Sequence, residues 1–69
     1  MEMFELESRE FIELNNLLKA SGLVSSGGLA KSLIAEGHVK VDGNLELRKR
    51  CKIYKGMQIE YAGQQIKVV

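Results

Sequence analysis

The apolar positions of this chain change their period near Gly37, from helical spacing before it to strand-like alternation after it. Phe11, Leu14, Leu17 and Leu18 recur at i, i+3, i+6 and i+7, one face of a helix that should end near Ser21-Gly22, where a glycine suits the left-handed cap. Its start is open by about a turn, and Asn15 is a second candidate cap. A second helix is predicted from Ser26, whose hydroxyl can accept from the free amides of the following turn. Leu29, Ala30, Leu33 and Ile34 form its apolar stripe, and Gly37 its stop. Gly22-Leu23-Val24-Ser25 is long enough only for a tight connection, so the two helices should pack as a hairpin.

Beyond Gly37, Val39 and Val41 alternate with His38, Lys40 and Asp42, and Asp42-Gly43 is a strong two-residue hairpin signal. The returning strand is expected along Asn44-Leu45-Glu46-Leu47. Met57, Ile59 and Tyr61 alternate in the same way, Ala62-Gly63 is a turn candidate, and Ile66 and Val68 complete a second hairpin. Lys55-Gly56 reads as a turn before it, and Met3-Phe4-Glu5-Leu6 as an edge strand. The predicted class is α/β of the α+β type, a two-helix hairpin packed on a small, mostly antiparallel sheet.

Composition narrows what such a fold can do. With 69 residues, 45% hydrophobic and 28% charged, the chain makes one ordinary globular domain, 1–69. At this size apolar burial barely exceeds the ordering entropy, which leaves little room for a deep substrate pocket. The longest apolar run, Leu33-Ile34-Ala35, falls far short of the ~20 residues a bilayer span needs, so no membrane partner is expected. A single cysteine and an acidic rather than basic start predict a reducing, cytoplasmic setting.

The net charge of +1 hides a segregation. Residues 1–13 hold five acids and one base, a balance of −4, whereas residues 14–69 hold nine bases and four acids, a balance of +5. Asymmetry of this kind points to a polyanionic partner. The surplus is densest in Arg48-Lys49-Arg50-Cys51-Lys52-Ile53-Tyr54-Lys55, five cations in eight residues with no acid among them, expected as an irregular, solvent-reaching segment. Five cations so close repel one another unless phosphates or counter-ions neutralise them. The segment reads either as a solvated loop or as a phosphate contact.

Other residues carry weaker signals. Lys40 points away from the Val39/Val41 face and Lys31 lies on the polar side of the second helix; each reads as an ordinary surface lysine unless it shares a face with the basic segment. Ser26, Gly27 and Gly28 open the second helix, where free amides either are simply capped or receive a phosphate oxygen. Cys51, flanked by Arg50 and Lys52, reads as a bystander or as a thiol of depressed pKa. Tyr54 and Tyr61 are candidates for base stacking, Tyr61 more readily for packing in the sheet. One cysteine and one histidine make no metal site, and no serine has an evident base, so neither cofactor nor catalysis is expected.

Leu14-Asn15-Asn16-Leu17-Leu18-Lys19-Ala20-Ser21-Gly22-Leu23, Ser26, the Ala-x-x-Leu-Ile-x-x-Gly-x-Val-x-Val-Asp-Gly run of residues 30–43, and Tyr54-Lys55-Gly56-Met57-Gln58-Ile59 resemble the S-four RNA-binding domain family. The resemblance runs unbroken over residues 13–61, with residues 1–13 as an acidic extension, and is nearest to the stand-alone, single-domain bacterial members. It implies the αL RNA-binding motif, in which two helices and an adjoining turn form an RNA-facing surface with the sheet behind. Members commonly carry an arginine after the capping Ser/Thr and a basic residue at positions where this chain has Gly27 and Glu13. The resemblance therefore implies binding shifted onto Arg48, Lys49, Arg50, Lys52, Lys40 and Lys31, beside Ser26 and Gly27. The expected function is non-catalytic binding of structured RNA, ribosomal RNA or an assembling ribosomal particle foremost. A protein-interaction adaptor on the ribosome, using the acidic residues 1–13, is the alternative.

Overall fold

The computed structural model describes residues 2–69, and its elements follow in the order β1 (Glu2–Phe4), β2 (Phe11–Glu13), α1 (Leu14–Ala20), α2 (Gly27–Ala35), β3 (Val39–Val41), β4 (Asn44–Leu45), β5 (Lys52–Tyr54), β6 (Gln58–Tyr61) and β7 (Gln64–Val68). Five strands form one sheet in the order β1-β7-β6-β3-β4. Every pairing in it is antiparallel except β1 with β7; the edge strand expected along residues 3–6 lies at Glu2–Phe4 instead, parallel to β7 at the sheet's edge. β2 and β5 make a separate antiparallel ribbon.

One core joins all of these. Leu14, Leu17 and Leu18 of α1 and Ala30 and Ile34 of α2 are fully buried, and they pack with Val39, Ile59, Ile66 and Val68 from the sheet and with Ile12 and Ile53 from the ribbon. Of the predicted α2 stripe only Ala30 and Ile34 face inward. Leu33 is half-buried and Leu29 is 44% exposed, each about 100° round the helix from its buried neighbour and on the flank of the stripe. No described helix is long and apolar enough to cross a membrane.

The first helix is shorter than the periodicity predicts. Phe11 is not on it: Phe11–Glu13 is extended and pairs with Lys52–Tyr54, placing Ile12 against Ile53. Period-two burial there, with Ile12 inward between Phe11 and Glu13, competes with the i, i+3 match of Phe11 to Leu14 and wins because β5 offers a ladder. Asn15 is not a cap either; its side chain is buried, with Oδ1 lacking a protein partner.

The turns follow their residues. Gly22 and Gly37 end the two helices at φ +81° and +86°, and Ser26 Oγ accepts from the Leu29 amide at 3.1 Å. Asp42 and Gly43 both adopt positive φ, as the tight hairpin requires, and Asp42 is tied to β6 through its backbone and its carboxylate, both to Gln58. The returning strand ends two residues earlier than expected, at Leu45. Past it the Glu46 amide still donates to Val39 O at 3.1 Å, and the Glu46 carboxylate accepts from the Arg48 amide at 3.0 Å.

Candidate nucleic-acid interface

The basic segment is irregular only in its first half. Residues 48–51 turn, with the Cys51 amide donating to Arg48 O, and then Lys52–Tyr54 become β5. Ile53, in the middle of the cations, has no exposed surface. Alternation around that buried residue sends Lys52 and Tyr54 to solvent on the same side.

The turn is also held at its other end. No side chain caps α1, whose first residue follows extended Glu13. Instead the Leu14 amide donates to Cys51 O at 2.9 Å and the Asn15 amide to Lys49 O at 3.0 Å. The loop's carbonyls thus satisfy donors that a helix start leaves unpaired. Its backbone is pinned while its cationic side chains stay at the surface: Arg48 and Arg50 are 78% and 76% exposed.

Two carboxylates join this surface from outside the basic run. Glu46 accepts from Arg48 Nε at 2.9 Å and from Nη2 at 3.2 Å, a two-pronged contact, and Glu13 lies 3.8 Å from Arg50. Hydrogen bonds from the Arg48 side chain and backbone hold Glu46 down at about 2, so it is ionised at neutral pH. Five cations at residues 48–55 thus meet two anions, and the local surplus is smaller than the run itself suggests. Glu46 was legible as an acid two residues before Arg48; Glu13 reaches Arg50 only because β2 pairs with β5.

Cys51 is half-buried, and burial first, then its hydrogen bond and charge repulsion with Glu46, push its thiol up. The depressed pKa suggested by flanking Arg50 and Lys52 is overturned, because desolvation and Glu46 together outweigh the lowering effect of Arg48.

Of the expected contact residues, Arg48, Arg50 and Lys52 line one recess together with Cys51 and Tyr54, and Lys49 lies in the same turn. Ser26, Gly27 and Lys31 are on α2, where Lys31 is exposed and Ser26 caps the helix. A methyl group added at Gly27 or Gly28 would meet nothing within 4 Å, so the first turn of α2 faces open space. Lys40 lies between buried Val39 and Val41 and points off the sheet face away from the helices, across from Glu60. The turn and β5 residues thus share one recess, and Lys40 is not among the residues that line it. Tyr61, as expected, packs in the sheet, half-buried against the core.

A family model described as S4 domain matches residues 4–69. The chain belongs to the S4 domain family. YbcJ of Escherichia coli (strain K12) is 49% identical over 69 residues, spanning the whole of this chain and 99% of its own, and YbcJ of Shigella flexneri matches equally. The solution structure of YbcJ from E. coli, which reveals an ALFAL motif involved in RNA-binding, superposes with a TM-score of 0.78, covering all of this chain and 87% of that one. A tyrosine–tRNA ligase of Photobacterium profundum is 49% identical over 43 residues, which are 62% of this chain but only 11% of the ligase. The S4 domain match is to a binding module and not to a catalytic domain.

Proposed function

We propose that this S4 domain binds structured RNA in the cytoplasm as a non-catalytic module, with ribosomal RNA or an assembling ribosomal particle as its target. The observation that carries this reading is the turn at residues 48–51, whose backbone is hydrogen-bonded to the start of α1 while its cations stay exposed. Fixing a cationic loop before the partner arrives removes part of the ordering cost of binding. The full-length likeness to YbcJ, with its RNA-binding motif, supports the same reading.

Arg48, Lys49, Arg50 and Lys52 are the principal phosphate contacts, with Ser26, Gly27 and Lys31 on the open first turns of α2 as a second contact region and Lys40 a peripheral one. Duplex RNA hides the base edges of its deep groove, so a small basic surface reads backbone and shape. Contact with about four phosphates gives affinity falling with salt at a log-log slope of roughly −3 to −4. Replacing Lys49, Arg50 and Lys52 by glutamine should reduce that slope by about 2 to 3 and weaken binding to a structured ribosomal RNA fragment, with circular dichroism unchanged. An unchanged slope in the folded triple variant would remove these residues from the interface.

A further inference from the structure

The outer face of the β2–β5 ribbon carries an aromatic pair where the RNA reading calls only for charge. Tyr54 stands opposite Phe11 in the strand register, with ring centroids 5.8 Å apart and tilted by 48°, and Tyr54 keeps 42% of its surface exposed. Lys52, one pleat away on the same face, sets its Nζ 5.0 Å from the Phe11 ring. Beside them lies a recess of about 440 Å³ lined by Arg48, Arg50, Cys51, Lys52 and Tyr54. That volume is within the ~300–1,000 Å³ typical of small-ligand sites.

Three properties of this recess go together. One wall is an aromatic ring braced by a second ring, which limits its rotamers before anything binds. The other walls carry the guanidinium groups of Arg48 and Arg50 and the ammonium of Lys52, the cations that phosphate oxygens pair with. Cys51 contributes a thiol kept neutral by burial, adding apolar surface rather than charge. Exposed aromatic rings beside a basic track are what unpaired bases stack on, whereas a base inside a duplex presents no free face.

We infer that this recess captures one unpaired nucleotide of the RNA, its base stacked on Tyr54 and its phosphates held by Arg48, Arg50 and Lys52. The inference rests on the RNA-binding reading and sharpens it, from a surface that follows duplex shape to one that marks a bulge or loop. Arg48 reaches the recess already oriented, since Glu46 occupies only its Nε and Nη2 edge and leaves Nη1 free.

Two RNA probes test this: a fully paired stem, and the same stem with one unpaired pyrrolocytosine as a fluorescent bulge. The wild-type protein should bind the bulged stem about 5- to 100-fold more tightly than the paired one and quench the fluorophore. Tyr54→Leu keeps apolar cover over Phe11 but has no stacking face. It should lose both the margin and the quench while holding the paired stem within about twofold, and Tyr54→Phe should keep both. The inference is overturned if Tyr54→Leu retains the margin or weakens both stems equally. If the wild-type protein binds the paired stem with steep salt dependence but shows no preference for the bulge, only the nucleotide site falls. If it binds neither stem, the RNA reading falls and this site with it.

Discussion

Ile53 is the residue on which the geometry of the basic surface depends, although it carries no charge. It lies between Lys52 and Tyr54 with no exposed surface, facing Ile12 across the ribbon and packing into the same core as α1. A two-stranded ribbon is at best marginal by itself, so β2 and β5 persist because Ile12 and Ile53 are buried. Truncating Ile53 to alanine in such a site should cost about 2–5 kcal/mol, the lost transfer energy plus the cavity left behind. A domain of this length has roughly 3–10 kcal/mol of stability in all, so the loss is a large share of the total. At about 4–8 °C per kcal/mol, thermal melts followed by circular dichroism should show a midpoint lower by at least about 8 °C. Ile53→Val, at about 0.5–1.5 kcal/mol, should remain folded and bind RNA with unaltered salt dependence. Lys52→Gln at the neighbouring surface position should change stability by no more than about 0.5 kcal/mol. If Ile53→Ala melts within about 1 kcal/mol of the wild-type protein, or Lys52→Gln costs more than Ile53→Ala, the ribbon is not held by this contact.

Two further outcomes follow from the turns and the ion pair. Ala62 adopts φ +53° in the β6–β7 turn, where Asp42 adopts φ +51° in the equivalent place of the β3–β4 turn, and alanine tolerates that region poorly. Ala62→Asn should raise urea stability by about 0.5–1 kcal/mol, and a loss would refute the assignment of strain there. Glu46 is lowered from 4.5 to about 2 on folding, so the Glu46–Arg48 contact contributes fully above pH 4.5 and is lost as pH falls towards 2. Arg48 is open to solvent, so the contribution of the contact to stability is small. Glu46→Gln should flatten the acid side of the stability profile and, by removing one cause of the raised Cys51 pKa, shift the midpoint of thiol alkylation downward. An unmoved alkylation midpoint would show that Glu46 does not act on the thiol.

Much of the fold was legible because its signals are local. Ser26 and Gly37 bracket α2, Asp42-Gly43 and Ala62-Gly63 make their turns, and the alternation around Ile59 and Ile66 is that of β6 and β7. Family membership was legible for the same reason, since the run from Ala30 to Gly43 combines a helix, its glycine stop and a hairpin in one stretch. Phe11 misled the reading because one residue satisfied two periods. Only pairing with a strand some forty residues later decides between them, and no local spacing records that pairing.

By itself, then, the sequence determined the elements, the class and the concentration of positive charge at residues 48–55. The tertiary structure alone decided what that charge amounts to. It brought Glu13 against Arg50, docked the loop carbonyls on the open amides of α1, and set Tyr54 over Phe11 beside the cations. Helix caps and hairpins are written in a few consecutive residues, whereas these contacts depend on distant strands coming together to bury Ile12 and Ile53, and burial is a property of the whole fold.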